Sequence, residues 1–479
     1  MKNKYIIISM IAIVFILSSC TKKFLDTQSP QIAENEYFTS EEEVNYTLTA
    51  CYTILSWEDG TSYFQYWVGD VLGHDAYKGG EGAGDQQWME PLIVFDYSAE
   101  AYSAELELPY KNYYVAINRC NRVIDRVQPL SSDIISAEKK KQVIGEARFL
   151  RGVYYFELVK MFGSVPLVKH VLTQEQFQVP KATVSDLYAQ MDSDFRFANE
   201  NLLPKSEQEE MGRATKGSAQ AYLSKINLYQ DKWPEAEAWA DSVILSDEYS
   251  LEDNYSDNWS LSNENGIESV FEIQFTKTNN SSLWGDDNQG EMFSIFTRSR
   301  NNNDGWGFCC PTQDFVSQFE TGDIRLHATV IFDGDTLWKG SHDEMIADNQ
   351  FSTCLDRYMS KKYQLPLSQQ GDQSDDPLNW KVIRYAEVLL WRAEAAAHNG
   401  DDWQTYINLV RTRAHLPNTT ETDGLKAVYH EREVELGMEG HRLWDIIRQG
   451  RGDELLGKYG YVEANNHYFP IPASQNFSK

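Results

Sequence analysis

An apolar stripe at helical spacing is the feature that most limits what this chain can fold into. It runs through residues 143–161 at intervals of three or four, and its members are Val143, Ala147, Leu150, Tyr154, Leu158 and Met161. Such spacing places these side chains on one face of an α-helix, and that face must be buried against a partner. Gly163 and Pro166 follow the stripe, and both residue types are typical of helix ends.

Helical stripes return in pairs further along the chain. In residues 213–244, Pro234 follows an apolar helical face and predicts the first turn of a second helix. Small residues would let the two helices approach closely, as in a tetratricopeptide hairpin; they are Ser224, Ala236 and Ala240. The pattern recurs over residues 384–414. These segments predict a mainly α fold, built as a tetratricopeptide-like helical-repeat scaffold.

Strand signals are few and short. Apolar residues alternate over residues 271–275, which predicts a short strand. Residues 330–332 and 336–338 flank Asp333 and Gly334, and an Asp-Gly pair between two such runs is a strong hairpin signal. We therefore expect long loop insertions and a few short β-hairpins within the helical scaffold.

The N-terminus predicts a lipoprotein signal peptide over residues 1–19. Lys2 and Lys4 precede a mostly apolar run, residues 5–17, whose helical length of about 20 Å falls short of the roughly 30 Å hydrocarbon core. The run therefore fits a signal peptide better than a membrane span. Small residues precede Cys20, which predicts lipidation of that cysteine and membrane attachment by a lipid anchor. An ordinary signal peptide followed by a chance cysteine is the alternative.

No linker rich in Pro, Gly or Ser divides the rest of the chain. We therefore expect residues 20–479 to form a single α-helical domain, with an N-terminal part of about residues 20–270 and a C-terminal part of about residues 271–479.

Charge and motifs exclude several classes of function. The formal net charge is −29, which argues against a nucleic-acid partner. The chain contains none of the common hydrolase, metalloprotease or nucleotide-binding motifs, so we predict no catalytic residues, no metal site and no cofactor. The cysteines show no disulfide or metal spacing. For the adjacent Cys309 and Cys310 we expect two free thiols, with a strained vicinal disulfide as the alternative.

Two segments combine many aromatic residues with Gly, Asp, Asn and Gln, and these segments are residues 56–97 and 278–308. Long loops within a compact domain are usually functional or disordered. Aromatic rings match the C–H faces of a sugar, while Asp and Asn match its hydroxyls. The candidate ligand-binding residues are Trp67, Asp70, His74, Asp75, Trp88, Trp284, Asp287 and Trp306. Helical spacing around Trp67 also fits burial in the core, and Asp or His in a loop commonly serves a turn.

The C-terminal segment 431–450 carries a further helical stripe with an ion-pair rim. Side chains three apart along it would pair; the predicted pairs are Glu439 with Arg442, Arg442 with Asp445, and Asp445 with Arg448. Gly437 and Gly440 each disfavour a helix interior, which predicts a break or a tight helix crossing. We interpret these acids and arginines as structural.

The amino-acid sequences of several segments resemble those of the SusD/RagB family. The resemblance is carried by residues 145–168, 213–244 and 431–450 and by the closing Pro470-Ile471-Pro472, and it extends from Cys20 to the end of the chain. It implies a SusD-like fold and a non-catalytic lipoprotein of the outer membrane that faces the cell exterior. Such a protein captures oligosaccharide and delivers it to a SusC-like TonB-dependent transporter. A RagB-like peptide ligand is the alternative, and a surface glycoside hydrolase is a third.

Lipidation gives the first testable prediction. Cys20→Ala removes the acylated thiol, so the protein should be recovered in soluble form rather than with membranes. The measurement is its distribution after salt and carbonate washing of membranes. Membrane association equal to that of the wild type would refute the anchor.

Overall fold

The computed structural model describes residues 38–57, 62–98, 102–278, 290–301, 305–371 and 375–472. The predicted signal peptide (1–19) and Cys20 lie outside the described residues. Within the described residues, no helix has both the length and the apolar character needed to cross a bilayer.

Helices make up most of the described chain, which confirms the mainly α prediction. In chain order they are α1 (Glu41–Tyr52), α2 (Ser62–Leu72), α3 (Met89–Ile93), α4 (Ser103–Val127), α5 (Ala137–Phe162), α6 (Val184–Asn201), α7 (Lys216–Leu228), α8 (Trp233–Ile244), α9 (Phe293–Thr297), α10 (Gln313–Val316), α11 (Arg325–Thr329), α12 (Tyr385–Asn399), α13 (Gln404–Arg413), α14 (Gly424–Leu436), α15 (Arg442–Arg448), α16 (Gly452–Leu455) and α17 (Glu463–Asn466).

The longer helices stack one on the next as a helical array. Helix α4 packs on α5, α5 on α6, α6 on α7, α7 on α8, and α8 on α12, which in turn packs on α14. Small residues permit these approaches: the Ser224 hydroxyl on α7 donates to the Ala236 carbonyl on α8 at 2.8 Å. Helix α5 ends at Gly163 with φ +67°, as the sequence predicts. One hydrophobic core runs through the array and includes residues as far apart as Val44 and Phe469.

The short strands of the described chain form four antiparallel pairs outside the helical array. They are β1 (Ala76–Gly79) with β3 (Phe308–Pro311), β2 (Ser269–Ile273) with β8 (Trp380–Arg384), β4 (Val330–Phe332) with β7 (Tyr358–Ser360), and β5 (Thr336–Leu337) with β6 (Met345–Ile346). The predicted strand near residue 271 is β2. The five cysteines described, Cys51, Cys120, Cys309, Cys310 and Cys354, are free and buried, as expected for Cys309 and Cys310.

The hairpin predicted across residues 330–338 is wrong, although its turn exists. Asp335 closes that turn, because its amide donates to the Phe332 carbonyl at 3.1 Å and its carboxylate accepts from the Phe332 amide at 2.8 Å. The Gly334 amide then donates to the Ala347 carbonyl at 2.8 Å. The chain after the turn is thereby drawn to β6, so β4 and β5 pair with later segments instead of with each other.

The C-terminal segment 431–450 breaks into two helices, as its glycines predict. Helix α14 ends at Leu436 and α15 begins at Arg442. Only one predicted pair forms as an i,i+3 pair, Asp445 with Arg448 at 2.8 Å. The other two pairs are wrong, because the break turns Glu439 and Arg442 to different partners. Glu439 pairs with Arg384 and Lys362, and Arg442 pairs with Asp75 and Glu433.

A buried network of ion pairs, hereafter the arginine network, surrounds this segment. Its N–O distances lie between 2.5 and 3.1 Å, and its pairs are Arg325 with Glu431 and Glu435, Arg384 with Glu268, Glu435 and Glu439, Arg413 with Glu268 and Glu435, and Arg432 with Asp445. Burial alone would raise the pKa of Glu439, but Arg384 and Lys362 lower it to about 2. The acid therefore stays ionised, as the structural interpretation of these residues requires.

The segment after α14 also touches α2 through two glycines. A Cβ at Gly69 would lie 1.9 Å from the Gly440 carbonyl oxygen, so the two backbones meet at a distance that excludes any side chain there. Gly440 itself has φ +83°, a conformation that glycine adopts without strain. This contact fixes α2, and with it the loop that follows α2, against the C-terminal segment.

We expect Gly69→Ala to lower the free energy of unfolding by about 1–3 kcal/mol, because the methyl group must displace the Gly440 backbone. Thermal or urea unfolding measures this change. The control is Gly84→Ala, since among the described residues no atom lies within 4 Å of a Cβ placed there. Equal stability of the two variants would show that the α2 contact is not tight.

Candidate ligand-binding site

The two aromatic segments predicted from sequence meet in the structure. Strand β1 in the first pairs with β3 at the end of the second, with Tyr77 opposite Cys310 and Gly79 opposite Phe308. Beyond the strands, the Gly80 amide donates to the Gly307 carbonyl at 2.8 Å. Two loops more than 200 residues apart in sequence therefore form one surface.

A third segment, residues 348–353, joins this surface. The Thr353 hydroxyl donates to the Gly80 carbonyl at 2.5 Å, and the Asn301 side-chain amide donates to the Asp348 carboxylate at 3.0 Å. Sequence reasoning missed this segment, because Phe351 is its only aromatic residue and no motif marks it. The term loop face is used below for residues 79–88, 298–301, 305–308 and 348–353.

Trp306 lies half-buried on the loop face beside a charged pair. The Arg300 guanidinium donates to the Trp306 carbonyl at 2.9 Å and forms an ion pair with Glu81. The Arg300 side chain is 27% exposed and that of Glu81 is 71% exposed, so both are reachable from solvent. An aromatic surface with donors and acceptors at its edge suits a ligand that has apolar faces and hydroxyl groups.

Asp348 provides an ionised acceptor on the same surface. The Asn301 side chain and the Gln350 amide donate to its carboxylate, and these hydrogen bonds lower its pKa. A carboxylate held ionised in this way accepts hydrogen bonds and is poorly suited to act as a general acid. Within the described part of the chain, no group of three His, Cys, Asp or Glu side chains is arranged to hold a metal ion.

Trp67 on α2 and Trp88 at the end of the first loop-face segment have buried rings, and their contact with a ligand stays a prediction. Trp67 is 0% exposed and Trp88 is 7% exposed. The rings meet edge-to-face at 5.5 Å, and Trp67 also packs on Phe296 at 4.6 Å. The Trp88 indole N–H donates to the Gln86 side chain at 2.7 Å. Their rings support the loops by packing. Trp67 is buried because it lies on the face of α2 that packs into the core.

Asp70, His74 and Asp75 are brought together with the C-terminal segment and not with Trp306. The Asp70 carboxylate accepts from the Gly440 amide at 2.9 Å, and Asp75 lies 3.3 Å from Arg442. The His74 ring stacks on Tyr459 with centroids 3.4 Å apart, and burial lowers its pKa to about 4. The structure thus shows packing, hydrogen-bond and ion-pair contacts for these side chains, and their contact with a ligand stays a prediction.

Trp284 and Asp287 lie outside the described residues, and their contact with a ligand stays a prediction. Of the predicted tryptophans that the structure describes, Trp306 is half-buried on the loop face, whereas Trp67 and Trp88 are buried. It is therefore the residue on which a binding test should rest.

Burial of Asp70 makes stability depend on pH. Burial raises the pKa of Asp70 to about 7, well above its value in an unfolded chain. Between about pH 4 and pH 7 the folded protein therefore binds more protons at this site than the unfolded protein does, and its stability falls as the pH rises. Asp70→Asn should remove the pH-dependent part of the free energy of unfolding that comes from this carboxyl group, which is on the order of 4 kcal/mol across this range.

The measurement is the free energy of unfolding from pH 4 to pH 7 for the wild type and Asp70→Asn. The difference between the two curves should change across this range, whereas the exposed-site control Asp253→Asn should follow the wild type. Parallel curves for the wild type and Asp70→Asn would mean that Asp70 is ionised throughout.

Two family models match this chain. The family described as SusD family matches residues 267–476, and the family described as starch-binding associating with outer membrane matches residues 23–228. The two matches do not overlap, and together they span most of the sequence.

Known proteins with SusD-like descriptions are similar along nearly the whole length. A SusD-like protein of Formosa agariphila is 26% identical, with 92% of this chain and 90% of the relative covered. A SusD-like protein of Bacteroides ovatus is 25% identical, with 93% and 82% covered. The solved structure of a laminarin-binding SusD-like protein matches with a TM-score of 0.79 at 26% identity, covering 92% of this chain and 98% of that one. The chain belongs to the SusD/RagB family and has the SusD-like fold.

Proposed function

We propose that this protein binds oligosaccharide at the loop face and does not alter it chemically. The observation that carries the proposal is the position of Trp306, a half-buried residue beside the Arg300–Glu81 pair where three loops meet. A sugar ring would lie against the indole, while the guanidinium and carboxylates would bind its hydroxyls. Binding of this kind needs a rigid support, which the buried Trp67 and Trp88 provide.

Similarity to a laminarin-binding SusD-like protein supports a glycan as the ligand class. Laminarin oligosaccharides are therefore the first probes, followed by panels of other glycans. A peptide panel tests the RagB-like alternative, and binding of peptides but not glycans would replace the proposed ligand class.

The electrostatics of the loop face favour binding over hydrolysis. A glycosidase needs one carboxyl group with a raised pKa to protonate the leaving oxygen. On the described loop face, the hydrogen bonds to Asp348 lower its pKa, and Glu81 is paired with Arg300. These carboxylates are suited to accept hydrogen bonds from hydroxyl groups.

The proposal includes a place for the protein at the outer membrane. The description of the family that matches residues 23–228 supports outer-membrane association. Attachment through a lipid on Cys20, with the domain facing the cell exterior, would put the loop face where oligosaccharides arrive. Delivery of the bound ligand to a SusC-like TonB-dependent transporter completes the proposed role, and family membership supports it.

Trp306→Ala tests the proposed site. Loss of stacking and of buried apolar area should weaken oligosaccharide binding roughly ten- to hundredfold, with a small change in melting temperature because the ring is half-buried. Calorimetric titration and thermal unfolding measure the two effects.

A matched control is Trp239→Ala. Trp239 is also half-buried, but it lies on α8 against Arg196, away from the loop face. This variant should bind the oligosaccharide as the wild type does. If Trp306→Ala binds with unchanged affinity while the protein still binds the glycan, the loop face is not the binding site.

A further inference from the structure

A cavity that is partly open to solvent lies between the helical array and the C-terminal segment. Its volume is about 60 Å³, room for roughly four water molecules or one small polyatomic ion. Its walls come mainly from α5, α7, α12, α14, α15 and β8. None of its lining residues belongs to the loop face, so it is independent of the proposed glycan site.

The cavity wall is rich in hydrogen-bond donors that lack partners. Within the described chain, four buried donor groups on this wall have no hydrogen-bond acceptor, and they are the Tyr222 hydroxyl, the indole N–H groups of Trp380 and Trp444, and one terminal nitrogen of Arg432. Each of these residues is more than nine-tenths buried. One acceptor, a carboxylate oxygen of Glu387, is also without a partner there. Buried polar groups are normally hydrogen-bonded, so these donors would bind an acceptor placed between them in the cavity.

Lys225 adds a positive charge to the same wall. It is 7% exposed, and its ammonium lies 5.2 Å from the Phe156 ring and 5.6 Å from the rings of Tyr222 and Trp391. Among the described residues, no carboxylate lies within ion-pair distance of its Nζ. Aromatic faces attract a cation but do not neutralise it.

The other cations on the wall do have acidic partners. Lys160 pairs with Glu157, Arg432 with Asp445, and Arg448 with Glu394; all three pairs are largely buried.

The electrostatic effect of Lys225 extends to its neighbours. Burial lowers the pKa of Lys160 and of His441, and the positive charge of Lys225 lowers both further. A negative charge in the cavity would relieve this repulsion, because charges interact more strongly among buried side chains than in bulk water.

We propose that this cavity binds a small oxyanion, a phosphate-, sulfate- or carboxylate-sized group. Its oxygens would accept from Tyr222, Trp444 and Arg432, and its charge would offset that of Lys225. An anion placed there bridges α7, α14 and α15, and so stabilises the packing of the helical array on the C-terminal segment.

The test uses the full-length protein and inorganic phosphate as the probe. Titration calorimetry at constant ionic strength, balanced with sodium chloride, should show saturable binding at one site. Parallel titrations with sulfate and acetate distinguish phosphate-like from carboxylate ligands. Lys225→Met and Tyr222→Phe should each weaken binding at least tenfold, since each removes one charged or hydrogen-bonded contact.

Tyr222→Phe is the decisive variant, because it removes only a hydroxyl that has no partner among the described residues and should leave the fold intact. Lys232→Met, a charge change at an exposed lysine, is the control and should bind as the wild type does. Kosmotropic anions stabilise proteins in general, so any rise in melting temperature counts only as a difference between wild type and Tyr222→Phe. Absence of saturable binding would mean that the cavity holds water alone, and equal affinity in Tyr222→Phe would place the ion elsewhere; either result overturns the proposal.

Discussion

The arginine network is the interaction on which the rest of this structure depends. Arg384 stands where β8 meets α12, and it joins Glu268 before β2 to Glu435 and Glu439 of the C-terminal segment. Removing one partner of a buried pair leaves an uncompensated charge and costs about 3–5 kcal/mol, although the intact network contributes much less net stability. We expect its main effect to be on geometry, because many short bonds to fixed carboxylates allow only one arrangement of α11, α12, α13 and α14.

The arginine network also positions the loop face, although only indirectly. The segment that carries Glu439 also carries Gly440, whose backbone touches Gly69 and donates to Asp70 on α2. Helix α2 leads into β1, and β1 holds the first aromatic loop against β3 of the second. The C-terminal segment therefore positions the loop face, where ligand binding is proposed.

Local patterns in the sequence predicted local structure well. The stripe over residues 143–161 predicted α5 together with its end at Gly163, because helical periodicity depends only on neighbours in the chain. Long-range outcomes were not predictable in this way. The turn at Asp333–Gly334 forms, but the strands on either side of it do not pair with each other. Strand β4 pairs with residues 358–360, and β5 pairs with residues 345–346. Composition identified the aromatic segments but did not predict how deeply each side chain is buried. Trp67 and Trp88, both predicted to contact a ligand, lie in the core. Residues 348–353 belong to the loop face through contacts with loops distant in sequence, which no local pattern indicates.

The central claim is that the loop face binds the ligand and the C-terminal segment supports it. Hydrogen–deuterium exchange of the full-length protein, with and without a saturating oligosaccharide that it binds, tests this most directly. The account predicts slower exchange in the loop face, residues 79–88, 298–301, 305–308 and 348–353, on binding. Exchange in residues 431–448 should stay unchanged, since the backbone there is already largely buried and hydrogen-bonded. Protection confined to residues 431–448, with the loop face unaffected, would contradict it.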